Sequence, residues 1–134
     1  MKRYLGILGV LIIAATSFTS CRTASPQTGS ASQEKYRLGT YSAVFPCSLR
    51  MMDKAVRETC QKARLVEISR ENTLRSCTYL YKDINDVRLR IALEENNDGT
   101  VKIKMKVGAM GDKQYCQALL IELNNNLRAQ GSLL

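Results

Sequence analysis

The sequence predicts an α+β domain in which two helices pack on one face of a mostly antiparallel, five-stranded sheet. The chain has 134 residues, a length that suits a single domain. Residues 86–94 and 101–107 alternate apolar and polar side chains, and residues 96–99 (Asn-Asn-Asp-Gly) between them are a strong hairpin signal. Such alternation means that one face of the sheet is covered and the other faces water. Two amphipathic helical segments can supply the cover.

The first strand and the first helix follow each other directly. Residues 40–45 are rich in β-branched and aromatic side chains, and Pro46 ends this strand because proline has no N–H to donate to a sheet. Ser48 can cap the helix that follows. The apolar residues of this helix recur at helical spacing and form one stripe: Leu49, Met52, Val56, Cys60 and Ala63.

Four more strands and a second helix complete the predicted domain. The strands are predicted at residues 65–70, 74–82, 86–94 and 101–107. Asp112 can cap a helix over residues 113–128. The buried stripe of that helix consists of Cys116, Leu119, Leu120, Leu123 and Leu127. The predicted order of elements is therefore β-α-β-β-β-β-α.

The N-terminal residues have the layout of an export signal. A basic start at residues 2–3 precedes an apolar run at residues 5–15, which is too short to cross a bilayer because a spanning helix needs about 20 apolar residues. Residues 18–21 (Phe-Thr-Ser-Cys) resemble the lipobox of bacterial lipoproteins. That resemblance implies removal of a signal peptide at residues 1–20, a diacylglycerol on the Cys21 thiol, and a further acyl chain such as palmitate on the new amine. The alternative is a secreted protein in which Cys21 has no such role.

Residues 21–35 are predicted to comprise the lipidated cysteine and a disordered tether, and residues 36–134 the single folded domain. The segment after Cys21 is rich in Ser, Thr, Gln and Ala and has almost nothing apolar to bury. Arg22 follows the cysteine, whereas lipoproteins that stay at the inner membrane usually have Asp there. We therefore expect a lipid-anchored protein of the cell envelope, at the outer membrane and facing the periplasm.

Four further cysteines suggest disulfide bonds, since their number is even and the chain is predicted to be exported. The predicted topology places Cys60 and Cys116 on buried helix stripes at one end of the sheet, and Cys47 and Cys77 at the other end. We expect the pairs Cys60–Cys116 and Cys47–Cys77, and four buried free thiols are the alternative. Zinc binding is disfavoured because the chain has no His and no closely spaced pair of cysteines.

A row of cations lies on the water-facing side of the last two predicted strands. The row consists of Arg88, Arg90, Lys102, Lys104 and Lys106. Such a basic stripe can bind lipid head groups or an anionic cell-wall polymer. Alternatively, it is a solvated face whose lysines discourage pairing with other sheets. Nucleic acid is not expected as a partner, because base stacking normally needs aromatic side chains beside the cations.

The segment from Thr100 to Asp112 resembles a known family. An alternating strand after Thr100 ends in V-G-x-x-G-D, which opens the last helix, and Ala55 fits the middle of the first helix. This pattern resembles a family of small uncharacterised bacterial lipoproteins that is defined by a domain of unknown function. The resemblance covers residues 36–128 and implies a lipobox, a polar tether and a β-α-β4-α unit. It implies no activity and no catalytic residue, and Cys116 departs from the serine expected at its position.

No constellation of residues supports catalysis. The chain has no His, the commonest general base, and nothing in the sequence pairs its carboxylates across a cleft. We therefore expect no enzyme activity, no cofactor and no metal. The sequence favours a non-catalytic interaction or structural module of the envelope, with an anion-binding module as the main alternative and an enzyme of unknown class as the second. The expected partners are the membrane, through Cys21, and an envelope protein or anionic polymer.

Overall fold

A computed structural model describes residues 31–132 of the chain. The elements in chain order are β1 (Ser32–Arg37), β2 (Thr40–Phe45), α1 (Leu49–Lys62), β3 (Val66–Asn72), β4 (Ser76–Lys82), β5 (Arg88–Glu95), β6 (Val101–Val107) and α2 (Lys113–Ser132). The α+β class, the two helices and the antiparallel sheet are confirmed. The predicted number of strands is wrong, since the sheet has six strands rather than five.

The strands lie in the order β1-β2-β6-β5-β4-β3, and each neighbouring pair is antiparallel. The last strand, β6, therefore inserts between β2 and β5, while α1 carries the chain across the sheet to the far edge at β3. Within residues 31–132, neither helix combines the length and the apolar character that crossing a bilayer requires.

The additional strand β1 begins at Ser32, inside the segment predicted to be the tether. All six of its residues are exposed, so it has none of the apolar alternation that marks a half-buried strand. Pairing with β2 holds it in place: Tyr36 lies opposite Tyr41, and the Tyr41 hydroxyl donates a hydrogen bond to the Glu34 carboxylate at 2.5 Å. An edge strand of this kind is stabilised by its neighbour and leaves little trace in the sequence pattern.

Both helices pack on the same face of the sheet. The buried side chains of β2, β4, β5 and β6 alternate with exposed or half-buried ones, as in Leu89, Ile91 and Leu93 of β5. A polar contact joins the two helices. Asn126 of α2 donates a hydrogen bond to Oγ1 of Thr59 on α1 at 2.8 Å and accepts one from Nζ of Lys62 on α1 at 2.7 Å. The core thus lies on one side of the sheet, and the other side remains free of helices in the part of the chain that the structure describes.

The four cysteines at positions 47, 60, 77 and 116 are buried and free, so neither predicted disulfide forms. Cys60 contacts Tyr81 on β4, whereas the Cys116 thiol faces the Met105 carbonyl on β6. The two thiols therefore lie over different strands, which are separated by β5 and are about 10 Å apart. Cys47 follows β2 and Cys77 lies on β4, three positions away in the sheet. The predicted pairing is wrong because it rested on the end of the sheet that each cysteine occupies and took no account of the lateral order of the strands.

Two glycines bring the β1–β2 turn against the loop between β6 and α2. Gly39 and Gly111 both have positive φ angles, of 77° and 84°. A Cβ on Gly39 would lie 2.5 Å from the Met110 carbonyl oxygen, and a Cβ on Gly111 would overlap the Gly39 backbone. The second glycine of the V-G-x-x-G-D segment is therefore required by this close approach of two backbones.

A basic face and cleft on the open side of the sheet

The structure brings the five predicted cations together on the face of the sheet opposite the helices, which we call the open face. Alternation along β5 and β6 buries Leu89 and Ile103 and turns the intervening cations toward water. Arg90 lies directly opposite Lys106 across the two strands. The register of β5 and β6 therefore places these charges side by side.

Three further cations extend the open face beyond the predicted stripe. The register of the neighbouring strands places Lys35 and Arg37 of β1 and Lys82 of β4 on this side. Sequence reasoning missed Lys35 and Arg37 because it assigned residues 32–35 to the tether and predicted no strand before residue 40. The available signal was their alternation around Tyr36, just before the two-residue turn at Leu38. The open face thus carries eight basic side chains: Lys35, Arg37, Lys82, Arg88, Arg90, Lys102, Lys104 and Lys106.

The acidic side chains on or beside the open face neutralise only part of this charge. The Lys104 ammonium lies 3.1 Å from the Glu94 carboxylate, and Lys82 lies 3.3 Å from Asp86. Glu71, on the edge strand β3, also faces this side. In contrast, no carboxylate among residues 31–132 lies within ion-pair distance of three cations on β5 and β6: Arg88, Arg90 and Lys106.

These three cations line a cleft of about 560 Å³ where β5 begins and β6 ends, which we call the basic cleft. Its other lining residues are Leu80, Asp86, Val87, Gly108 and Ala109. Two guanidinium groups and one ammonium group offer many N–H donors, and guanidinium groups match the geometry of phosphate and carboxylate oxygens. Without an anion, like charges placed directly opposite each other on neighbouring strands repel. The arrangement therefore suits a bound anion.

The buried cysteines do not offer reactive thiols. Burial raises the pKa of Cys47 and of Cys116 to about 11 and that of Cys60 to about 12, from an ordinary value of 9.0. Burial also raises the pKa of the Cys77 thiol, which donates to the Asn72 side-chain oxygen at 3.0 Å. Thiols with such pKa values are protonated near neutral pH, and the protonated form is a poor nucleophile and metal ligand. Among the described residues, no three Cys, Asp or Glu side chains cluster as they would around a metal ion.

The fold and the basic cleft define a small α+β domain with a one-sided sheet and an exposed cationic face. The chain belongs to the family described as "Protein of unknown function (DUF3568)", whose model matches residues 5–126. This membership confirms the resemblance to a family defined by a domain of unknown function. A comparison with curated proteins finds no match.

Proposed function

We propose that the protein is a lipid-anchored, non-catalytic interaction module of the cell envelope, and that it binds an anionic partner through the open face of its sheet. The predicted signal peptide, the lipidation site Cys21 and most of the predicted tether lie outside the described residues. Support for the anchor is the sequence pattern at residues 18–21, where a basic and apolar start leads to a lipobox-like cysteine.

The main support for this proposal is that the basic side chains and the packed core lie on opposite faces of the sheet. Eight basic side chains share the open face with Glu71 and Glu94, while both helices pack on the opposite side. A cation near an anionic membrane surface contributes about 1 kcal/mol to binding. A single face with this excess of cations therefore favours a large anionic partner, such as a membrane surface or a cell-wall polymer.

The chemistry of the basic cleft supports binding rather than catalysis. Asp86 is the carboxylate that lines the cleft, and its partner is Lys82 rather than a second acid. General acid–base catalysis needs a positioned group whose pKa lies near the working pH. The cations of the cleft supply positive charge and hydrogen-bond donors, which suffice to hold an anion.

Binding to heparin, a soluble polyanion, tests the proposal. The variant reverses three charges of β6 on the open face: Lys102→Glu, Lys104→Glu and Lys106→Glu. At about 1 kcal/mol for each lost cation, we expect the Kd of the full chain for heparin to rise by about 100-fold. The measurement is isothermal titration calorimetry at about 0.15 M ionic strength, where the Debye length is about 8 Å and only charges near the bound heparin contribute.

A control variant changes the net charge by the same amount on the outward side of α1. Its substitutions are Arg50→Glu, Lys54→Glu and Arg57→Glu. We expect this variant to bind heparin within about threefold of the unmodified chain, since long-range charge effects are weak beyond a Debye length. An equal loss of heparin affinity in the two variants would show that binding depends on net charge alone, and the proposal would fail.

A further inference from the structure

Three loops at one end of the sheet each present a large apolar side chain to water. They are the turn between β1 and β2, the loop between β4 and β5, and the loop between β6 and α2. At their tips, Leu38 is 87% exposed, Ile84 90% and Met110 89%. We call this surface the loop end.

Contacts between the loops make the loop end one continuous surface. The backbone of Gly111 packs against that of Gly39, which joins the β6–α2 loop to the β1–β2 turn. On the other side, the Val87 side chain approaches Gly108 and joins the β4–β5 loop to the same surface. Since strands lie about 4.8 Å apart, the three tips fall within about 20 Å of one another.

At two of the three tips, the residue type does not suit the turn that carries it. Leu38 has a φ of +51° and Gly39 a φ of +77°, so both central residues of this turn lie in the left-handed region. That conformation favours Asn, Asp or Gly and strains a leucine. Ile84 is a β-branched residue in the turn closed by the Asp86 N–H and the Asp83 carbonyl, where small polar residues are usual. These apolar side chains gain no burial inside the domain, which points to a contact outside it.

The charges around the tips favour an anionic partner. Arg37 precedes Leu38 in the chain, Lys113 follows the β6–α2 loop, and the basic cleft opens at this end between β5 and β6. Three acidic residues lie here too, fewer than the cations around them, and one of the three forms an ion pair. Asp86 pairs with Lys82, Asp83 accepts the N–H groups of Asn85 and Val87, and Asp112 accepts the N–H of Tyr115.

We infer that the loop end docks on an anionic lipid bilayer. Leu38, Ile84 and Met110 enter the boundary between head groups and acyl chains, and the basic cleft holds the phosphate of a lipid head group. Apolar residues surrounded by cations are the pattern by which proteins bind the surface of an anionic membrane. This inference rests on the proposed anion-binding role of the open face and names its ligand.

The segment between Cys21 and Ser32 is long enough for the loop end to reach the bilayer into which the lipid on Cys21 would insert. Ser32 pairs with Val44 and Arg37 with Thr40, so the chain enters the domain at the end opposite the loop end. Ten residues separate Ser32 from the predicted lipidation site Cys21, and they can span at most about 35 Å. The β1–β2 pair is about 20 Å long, so the connection is long enough for the domain to turn toward the same surface.

Tryptophan fluorescence in vesicles tests the inference, because the chain contains no Trp and a single substitution gives a unique signal. Three variants of the full chain carry Leu38→Trp, Ile84→Trp or Met110→Trp. The control is Leu74→Trp, since Leu74 is 93% exposed in the turn between β3 and β4, at the opposite end of the sheet. Far-UV circular dichroism verifies that each variant is folded.

Vesicles of phosphatidylcholine with about 30% phosphatidylglycerol, and with nitroxide-labelled acyl chains, report the depth of each tryptophan. We expect quenching and a blue shift for the three loop-end variants, and neither for Leu74→Trp. In vesicles of phosphatidylcholine alone, we expect quenching to fall at least about fivefold. Equal quenching of the Leu74→Trp control, or no quenching of any loop-end variant, would overturn the inference.

A second variant separates this inference from the proposed function. It combines Leu38→Asn, Ile84→Asn and Met110→Gln in a full chain that also carries Cys21→Ser and therefore cannot be acylated. We expect its sedimentation with anionic vesicles to weaken at least about tenfold relative to the Cys21→Ser chain, while heparin binding is unchanged. If the triple variant sediments with anionic vesicles as well as the Cys21→Ser chain does, membrane docking is refuted and the proposed anion-binding role is not. If the Cys21→Ser chain does not bind heparin, the proposed anion-binding role is refuted.

Discussion

Replacing Arg90 by Glu should stabilise the domain and weaken its binding to anions. Arg90 lies directly opposite Lys106 on the neighbouring strand, and no carboxylate among residues 31–132 lies within ion-pair distance of either. Like charges in this position cost about 0.2–1 kcal/mol, and an opposite-charge pair contributes a similar amount. The Arg90→Glu variant should therefore gain about 0.5–1.5 kcal/mol in the free energy of unfolding. For a domain of about 100 residues, this corresponds to a rise of about 2–10 °C in Tm.

Urea denaturation of the full chain at low and at high salt measures the effect. The gain should shrink in about 1 M salt, where the Debye length is about 3 Å. The neutral variant Arg90→Gln should gain about half as much, because it removes the repulsion without adding an attraction. Heparin binding should weaken in both variants, more strongly in Arg90→Glu. A less stable Arg90→Glu variant, or one with unchanged heparin affinity, would refute the view that this cation serves binding at the expense of stability.

Three further results are expected for the packed side of the domain. Gly111→Ala should lower the free energy of unfolding by about 3 kcal/mol or more, because the φ angle is strained and the new Cβ overlaps the Gly39 backbone. The control Gly99→Ala, at a position with a positive φ but open space, should lower it by about 1–2 kcal/mol. Equal losses in urea denaturation would contradict the close approach of Gly111 and Gly39. Asn126→Ala should lower the free energy of unfolding by about 1–3 kcal/mol, because it removes the hydrogen-bond partner of Thr59 and Lys62 between the helices. A loss below about 0.5 kcal/mol in urea denaturation would contradict this. The contribution of the buried Cys60 thiol to stability should be constant below pH 9 and should be lost between about pH 9 and 12, because the folded chain keeps this thiol protonated up to a pKa of about 12. If Cys60→Ser leaves the alkaline slope of the stability unchanged, Cys60 is not its cause.

Local patterns in the sequence predicted most of the elements correctly. The alternation of β5 and β6 predicted both strands, the bounds of β6 and the common face of Arg90 and Lys106, because side chains on a strand point alternately to its two sides. The strand β5 begins two residues later than predicted and ends one residue later. The apolar stripes of α1 and α2 likewise predicted two helices on one face. These features depend only on the spacing of residues along the chain.

The order of the strands could not be predicted in this way. The insertion of β6 between β2 and β5 is a property of the whole sheet, and the disulfide prediction, which used only the end of the sheet that each cysteine occupies, could not include it. The edge strand β1 was missed for a different reason. Its residues are exposed on both sides, so pairing with β2 decides its structure, and with it the placement of Lys35 and Arg37 on the open face.

The most direct measurement of anion binding by the open face is a titration of the isotope-labelled full chain with inorganic pyrophosphate, followed by NMR. We expect saturable shifts of the backbone amides in the basic cleft, strongest at Arg88, Arg90 and Lys106, with little change along α1 and α2. Shifts confined to the helices, or weak shifts spread evenly over the chain without saturation, would contradict the assignment of the open face as the binding surface.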